Sequence, residues 1–331
     1  MRKSANKKFG ALLLAIMLLG GCASGEKEKL PTPGQTPQNE SNMAEIRLPE
    51  KLEINADGTP ILSVYQVDEE EMREMDLETY LLGVLAGEMK NDWPIEALKA
   101  QAILARTYTL KFLETKDSRY PGADISTDVT EAQAYNSDSV NDRIKQAVAE
   151  TKGIVMVCNG ELPYAWFHAH SGGITELPTI SLDFKEDPEY LTSEASPDSE
   201  QAPDNVKNWN ADFSYADVIG ACSACGLEID TLKSFELGEQ GDSGRSKTFI
   251  INGKEISAPS FRINIGADKL KSTLIESVTL DNETVSFVGR GYGHGVGMSQ
   301  WGAYALAEKG ATAQTIVSRY FKGVHFVDLW E

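Results

Sequence analysis

The stretch DLETYLLGVLAGEMKNDWPIEALKAQAILARTYTLKFLE, residues 76–114, decides how this chain is read. Leu77, Tyr80, Leu81, Val84 and Leu85 recur at helical spacing and form one apolar face of an amphipathic helix. Asp76 suits its N-cap. The pattern stops at Gly87-Glu88-Met89 and restarts at Trp93-Pro94, where Pro94 is preset for a first helical turn and Trp93 is biased towards extended backbone. A second helix is expected to run to about Glu114. Leu98, Ala102, Ala105, Thr109 and Phe112 form its seam, and the small residues in that seam let another backbone approach closely.

Glu88 falls at the break between the two helices. The negative end of a helix dipole disfavours its ionised form by only about 0.3 to 1 kcal/mol, which moves a carboxyl less than one pKa unit. Burial against Met89 and Trp93 adds up to about 3 units, enough to make Glu88 a proton donor near neutral pH. The competing expectation is a solvated residue at a helix end.

The chain has 331 residues and 41% hydrophobic composition, enough to bury a sizeable core. Lys+Arg 31 against Asp+Glu 50 gives a net charge of -19, which repels phosphate backbones and argues against nucleic acid as a partner. Residues 1–21 read as a signal peptide: Arg2, Lys3, Lys7 and Lys8 precede the short apolar run Phe9 to Leu19. The ending Leu19-Gly20-Gly21-Cys22 resembles the bacterial lipobox, which implies lipidation of Cys22 and an extracytoplasmic protein lipid-anchored to the cell membrane. Residues 22–45 are rich in Glu, Lys, Pro, Gln and Ser and read as a flexible linker. Residues 46–331 are expected to form the folded part.

Within that part, Ile46 to Val67 reads as a hairpin around Ala56-Asp57-Gly58. Asp124 to Tyr135 reads as a loop, and Arg143 to Thr151 as a short helix. Gly153 to Cys158, the turn Asn159-Gly160 and Tyr164 to His168 are expected to form a hairpin that delivers His168, His170 and Ser171-Gly172-Gly173 to a strand end. Asp183 to Asp204 is an acidic loop that covers a site or is plain surface. Ala211 to Phe235 looks helical and carries Cys222 and Cys225; Arg245 to Phe261 has strand character around Asn252-Gly253. A further strand pair, Ser277 to Leu280 and Thr284 to Val288, turns at Asp281-Asn282.

The last pair leads into GRGYGHGVGMSQWGA, residues 289–303. Glycines at alternate positions permit positive φ and close backbone approach, with His294 held among them. The segment lacks the Lys-Ser/Thr of a phosphate-binding loop and the spacing of a dinucleotide fingerprint.

GYGHGVGMSQWGA, GEM around Glu88, EALKAQAILARTYTL and FHAHSGGITE together resemble the SpoIID/LytB family. The resemblance implies an α+β fold, β-rich with inserted helices, behind a lipoprotein signal and linker. It implies a peptidoglycan lytic transglycosylase that cleaves denuded glycan strands in sporulation (engulfment) or cell-wall remodelling, with Glu88 as catalytic acid/base. Such an enzyme uses one carboxyl group, whereas a hydrolase needs a second, for which Asp128 and Glu176 are candidates. The candidate substrate-binding residues are Arg106, His168, Ser171, Gly172, Tyr292, His294 and Gln300. Arg106, on the helix after Glu88 with Lys99 and Gln101, either contacts an N-acetyl or lactyl group or lies on a solvated face.

The family also implies a different role: LytB-type relatives are enhancers of cell-wall amidases, so a non-catalytic glycan-binding partner of an amidase is the alternative. Engulfment proteins are further expected partners. No cofactor is required by the single-carboxyl chemistry. Some members hold zinc after the matching histidine; here the only such set would be His168, His170, Cys222 and Cys225, and it depends on an unknown fold contact. A local disulfide or free thiols compete with it.

Overall fold

The computed structural model describes Ile46, Leu48 and residues 52–330, all inside the compact unit Thr36–Glu331. The expected signal peptide, the lipidation site Cys22 and the linker lie outside the described residues. No described helix is long and apolar enough to cross a membrane.

Strands β1 (Glu53–Ile54) and β2 (Pro60–Gln66) form the expected hairpin, and β3 (Glu71–Asp76) returns along β2 and runs straight into α1 (Leu77–Glu88). Asp76 caps α1, its carboxylate accepting from the Thr79 amide at 2.8 Å. This satisfies one of the N–H groups that a helix start leaves without an internal partner. Helix α2 (Ile95–Thr115) begins after Pro94 and is the spine of the larger core. Its alanines let α1, α3 (Asp142–Ala149) and strand β5 (Ile154–Val157) pack close to its axis. Between α2 and α3 runs the segment predicted as a loop, with one short strand, β4 (Ile125–Ser126), parallel to β2.

The hairpin expected over residues 153–168 forms only in part. Asn159 and Gly160 take φ of 52° and 81° and close a turn, but pairing stops at the Cys158–Glu161 bridge. Pro163 has no N–H to give to a ladder. Strand β5 instead pairs antiparallel with the C-terminal strand, and β6 (Phe167–His168) finds a parallel partner 131 residues further on, Phe167 opposite Met298. The acidic loop is flanked by two short helical turns, α4 (Pro178–Ser181) before it and α5 (Asp204–Lys207) at its end.

Residues 208–290 then build a second hydrophobic core of their own. Strand β7 (Asn208–Ser214), whose alternating burial buries Trp209, Ala211 and Phe213, replaces helix at the start of the segment read as helical; α6 (Tyr215–Ala224) follows behind a Ser214/Asp217 capping box. β8 (Phe235–Leu237), β9 (Thr248–Ile251) and β10 (Lys254–Ser257) form one sheet, with the expected turn at Asn252-Gly253. After α7 (Ala258–Gly266), β11 (Ile275–Asp281) and β12 (Thr284–Arg290) pair and β12 joins β7. Their turn centres on Asn282 and Glu283, both at positive φ, one residue later than expected.

The chain returns to the first core through the glycine-rich segment, β13 (Met298–Ser299), α8 (Gln300–Glu308), α9 (Ala313–Tyr320) and β14 (His325–Asp328). The architecture is mixed α and β with several small antiparallel sheets, in line with the α+β expectation.

Candidate active site around Glu88

Glu88 is the last residue of α1 and is half-buried. Two glycines on that helix decide its surroundings. A Cβ on Gly83 would collide with the Tyr135 ring, and one on Gly87 would lie 2.7 Å from the Ala134 carbonyl carbon and the Tyr135 nitrogen. The bare helix surface therefore admits the segment Ala134 to Asn136, which is tied down by the Asn136 amide donating to the Gly83 carbonyl at 2.8 Å. That docking brings the Ala134 amide to Glu88, where it donates to Oε1 at 2.7 Å.

On the other side, the buried Gln300 side chain at the start of α8 donates to the Glu88 backbone carbonyl at 3.1 Å. Burial raises the Glu88 pKa to about 7, with the Ala134 amide and Gln300 holding it down. Desolvation thus wins, as it does where a carboxyl loses more hydration than two donors return. Tyr80 and Tyr108 face the carboxyl from α1 and α2, and both phenols are pushed up, Tyr108 to about 12, so neither carries charge near neutral pH.

Gly87→Ala should push the Ala134 segment off the helix and cost about 1–3 kcal/mol, the range for forcing a methyl into packed structure. The loss of a donor that holds the carboxyl down should also raise the Glu88 pKa, observable in a 13C NMR titration. An unchanged titration would show that the crossing segment does not set this proton.

The glycine-rich segment packs behind this point. Gly293 has φ of 102°, and a Cβ there would sit 2.8 Å from that of His168. His168 is buried, with Nδ1 3.1 Å from the Val296 carbonyl, so Nδ1 carries the hydrogen; Nε2 is buried with no hydrogen-bond partner among the described residues. His294 accepts from the Val296 amide through Nδ1 at 3.0 Å and is held by the Phe167 carbonyl. Burial drives His168 well below the ordinary histidine range and His294 down to about 3, so both rings are neutral. Their ring centroids are 5.7 Å apart. Neither imidazole is among the groups that act on the Glu88 carboxyl, which Ala134 and Gln300 hold, while the two rings brace the glycine-rich loop against β6.

His170 and Tyr292 exchange backbone hydrogen bonds at 3.0 and 2.9 Å, which places Tyr292 beside the His-Ser-Gly-Gly turn. Ser171 is fully buried and its hydroxyl donates to Asp198, so it shapes the turn and is closed off from a substrate. Gly172 takes φ of 74°, and a Cβ there would press on Leu274. Arg245, from the second core, lies fully buried under Gly295. Its guanidinium donates to the Ser171 carbonyl at 2.6 Å, the Ile174 carbonyl at 3.0 Å and the Ser243 hydroxyl at 3.3 Å. Burial lowers its pKa to about 10, opposed by Glu176 and Asp198, so it stays a cation.

Several candidates lie elsewhere. Arg106 is completely buried, forked onto Glu78 at 2.9 and 2.6 Å and bonded to the Ile154 carbonyl at 3.0 Å. The guanidinium is held inside the core with no surface exposed, out of reach of a sugar. Glu176 accepts from Ser243 and from the Leu177 amide; Asp128 is held by Tyr120 and Thr130. Neither is among the groups that act on Glu88.

Zinc does not fit the residues present. No group of three or more His, Cys, Asp or Glu among the described residues is placed to hold a metal. Cys222 belongs to the second core and Cys225 neighbours Asn264, whereas His168 and His170 sit against the glycine-rich segment. Cys158, Cys222 and Cys225 are free thiols.

Three participants had no signal in the sequence reading: the Ala134 amide, Asp198 and Arg245. An amide has no side-chain signature, Asp198 is one of many acids in its loop, and Arg245 stands in an unremarkable Gly-Arg-Ser.

Fold and site define an α+β protein with one protonatable carboxyl at a helix end, set against a glycine-rich loop that precedes a second helix. The Stage II sporulation protein profile, SpoIID, matches residues 65–158, the span that contains α1, Glu88 and α2. An uncharacterized protein of Brachyspira hyodysenteriae is 31% identical over 258 residues, 78% of this chain and 68% of that one. The amidase enhancer of Bacillus subtilis is 30% identical over 293 residues, 73% of this chain but 39% of its own length. Stage II sporulation protein D of the same organism is 28% identical over 276 residues, covering 79% and 77%. The chain belongs to the SpoIID/LytB family.

Proposed function

We propose that this protein is a peptidoglycan lytic transglycosylase that cleaves denuded glycan strands, with Glu88 as its only acid/base. The observation that carries the reading is the state of that carboxyl: half-buried, pKa about 7, with Oε1 occupied by the Ala134 amide. With the Ala134 amide donating to Oε1, the proton is placed on Oε2.

The chemistry balances with this one group. Glu88 gives its proton to the glycosidic oxygen as the bond to the muramic C1 breaks, and the carboxylate then takes the proton of the muramic 6-hydroxyl as O6 closes on C1. A 1,6-anhydro ring forms and no water is consumed. The Ala134 amide stabilises the carboxylate between the two transfers, which is the service a positioned donor gives to a developing charge. A net charge of -19 suits strands that have lost their acidic stem peptides.

The names of the sporulation and amidase-enhancer relatives support a role in the cell wall. An extracytoplasmic, lipid-anchored location through Cys22, and association with an amidase or engulfment proteins, belong to the same reading.

The test is mass spectrometry of stem-peptide-free glycan strands incubated with the protein. Products ending in 1,6-anhydro-muramic acid support the reading, and reducing ends would mean hydrolysis. Intact strands that nevertheless bind would transfer the assignment to a glycan-binding enhancer of an amidase.

The pH profile follows from the same proton. Glu88 must be protonated to begin, so kcat/KM should fall as pH rises through about 7. A basic limb well above 8 would identify another group as the acid.

A further inference from the structure

Asp198 is a buried carboxylate with four donors: the hydroxyls of Ser171, Ser196 at 3.0 Å and Ser299 at 2.6 Å, and the Gly173 amide at 3.3 Å. Its side chain is 6% exposed. No Lys or Arg among the described residues is bonded to it. Arg245 acts on it through space only, with its guanidinium turned to the Ser171 and Ile174 carbonyls, and His170 Nδ1 lies 3.2 Å away. That nitrogen already accepts from the Gly172 amide at 3.0 Å, and burial lowers the His170 pKa, so it supplies no compensating charge at neutral pH. Tyr320 faces Asp198 from α9 and is bonded to Ser196, its phenol pushed up by burial.

A buried charge held only by neutral donors is costly unless every donor is in place. The donors of Asp198 come from three separate stretches: the His-Ser-Gly-Gly turn, the acidic loop and the cap of α8. Ser299 is the decisive one. It is the N-cap of α8, accepting from the Gly302 amide at 3.1 Å while donating to Asp198, and it pairs with His168 across the β13–β6 ladder. The next residue, Gln300, is the one bonded to the Glu88 carbonyl.

We propose that Asp198 is the positioning residue of this site, fixing the first turn of α8 through Ser299 so that Gln300 meets Glu88 while the same carboxylate locks the Ser171–Gly173 turn. This rests on the assignment of Glu88 as the acid. Asp198 touches neither Glu88 nor a sugar, and acts through Ser299 and Gln300.

The sign of its effect is defined. Gln300 lowers the Glu88 pKa, so losing its register should raise that pKa and move the basic limb of the pH profile upward. Groups facing Glu88 from the other elements, Tyr80, Tyr108 and the Ala134 amide, are not altered by the change.

The experiment compares Asp198→Asn and the milder Ser299→Ala with wild-type protein, reading kcat, KM, the pH profile and a 13C NMR titration of Glu88. For Asp198→Asn, kcat is expected to drop about tenfold or more with KM within about twofold, as expected when a well-made charged hydrogen bond that orients a catalytic group is lost. The Glu88 titration moves upward in both variants. Lower thermal stability with kcat and the titration unchanged overturns the proposal, as does loss of affinity at unchanged kcat. If Asp198→Asn does not fold, Ser299→Ala decides alone. Should wild-type protein fail to cleave strands, the reading of Glu88 as acid fails, while the titration still tells whether Asp198 positions Gln300.

Discussion

Glu88→Gln should lower the rate of glycan-strand cleavage by about 10²- to 10⁴-fold, the usual contribution of a positioned general acid/base. Glutamine keeps the shape of the side chain and an acceptor oxygen for the Ala134 amide, so the docked segment and Gln300 should remain in place. The loss is therefore expected in kcat with little change in KM. A second readout separates chemistry from folding. With a carboxyl pKa raised from 4.5 to about 7 in the folded protein, the native state holds a proton that the unfolded chain has released between those values. Stability is then fully present below about 4.5 and falls as pH rises towards 7. Glu88→Gln removes that slope, so denaturant midpoints of the variant should hold up better than wild type at pH 7 and above. A variant that kept full activity would rule Glu88 out as the acid. One that lost stability at pH 7 would show that the carboxylate is structurally required.

Arg245→Met should be the most destabilising single change in the second core, at about 3–5 kcal/mol, the cost of deleting one member of a buried charged network. The substituted side chain fills the volume but leaves the Ser171 and Ile174 carbonyls without their donor and Glu176 without its neighbouring cation. Arg245→Lys should fall between, since one ammonium cannot reproduce the planar fork that reaches two carbonyls. The check is urea denaturation of all three proteins. A cost below about 1 kcal/mol for Arg245→Met would mean that the carbonyls are satisfied another way and that Arg245 does not tie the second core to the site.

The helix pair was legible because its information is local. Spacing of Leu77, Tyr80, Leu81, Val84 and Leu85, a cap at Asp76 and a start at Pro94 are properties of neighbouring residues, and each appears in the structure where expected. The turns at Asn159-Gly160 and Asn252-Gly253 were legible for the same reason, since positive φ selects those residues. The partner of a strand is a different matter. Nothing in Tyr164 to His168 says that β6 will pair with Met298–Ser299 and not with its neighbour β5, and β7 was hidden inside a stretch whose composition also suits a helix. Arg106 shows the same limit on a helix. Its position on α2 could not reveal that Glu78, 28 residues earlier, would take up its guanidinium.

By itself the sequence determined the two helices, the break at Glu88, the acidic balance and the glycine-rich segment, because propensity, caps and periodicity act over a few residues. Only the tertiary structure decided that the Ala134 amide crosses the Gly83/Gly87 face, that Gln300 reaches the Glu88 carbonyl across 212 positions of chain, and that Asp198 and Arg245 bind the surrounding turns. The pKa of about 7 belongs to that second group. It is set by how much water the fold removes from one carboxyl and which donors the fold returns to it, and both quantities exist only once distant segments have packed.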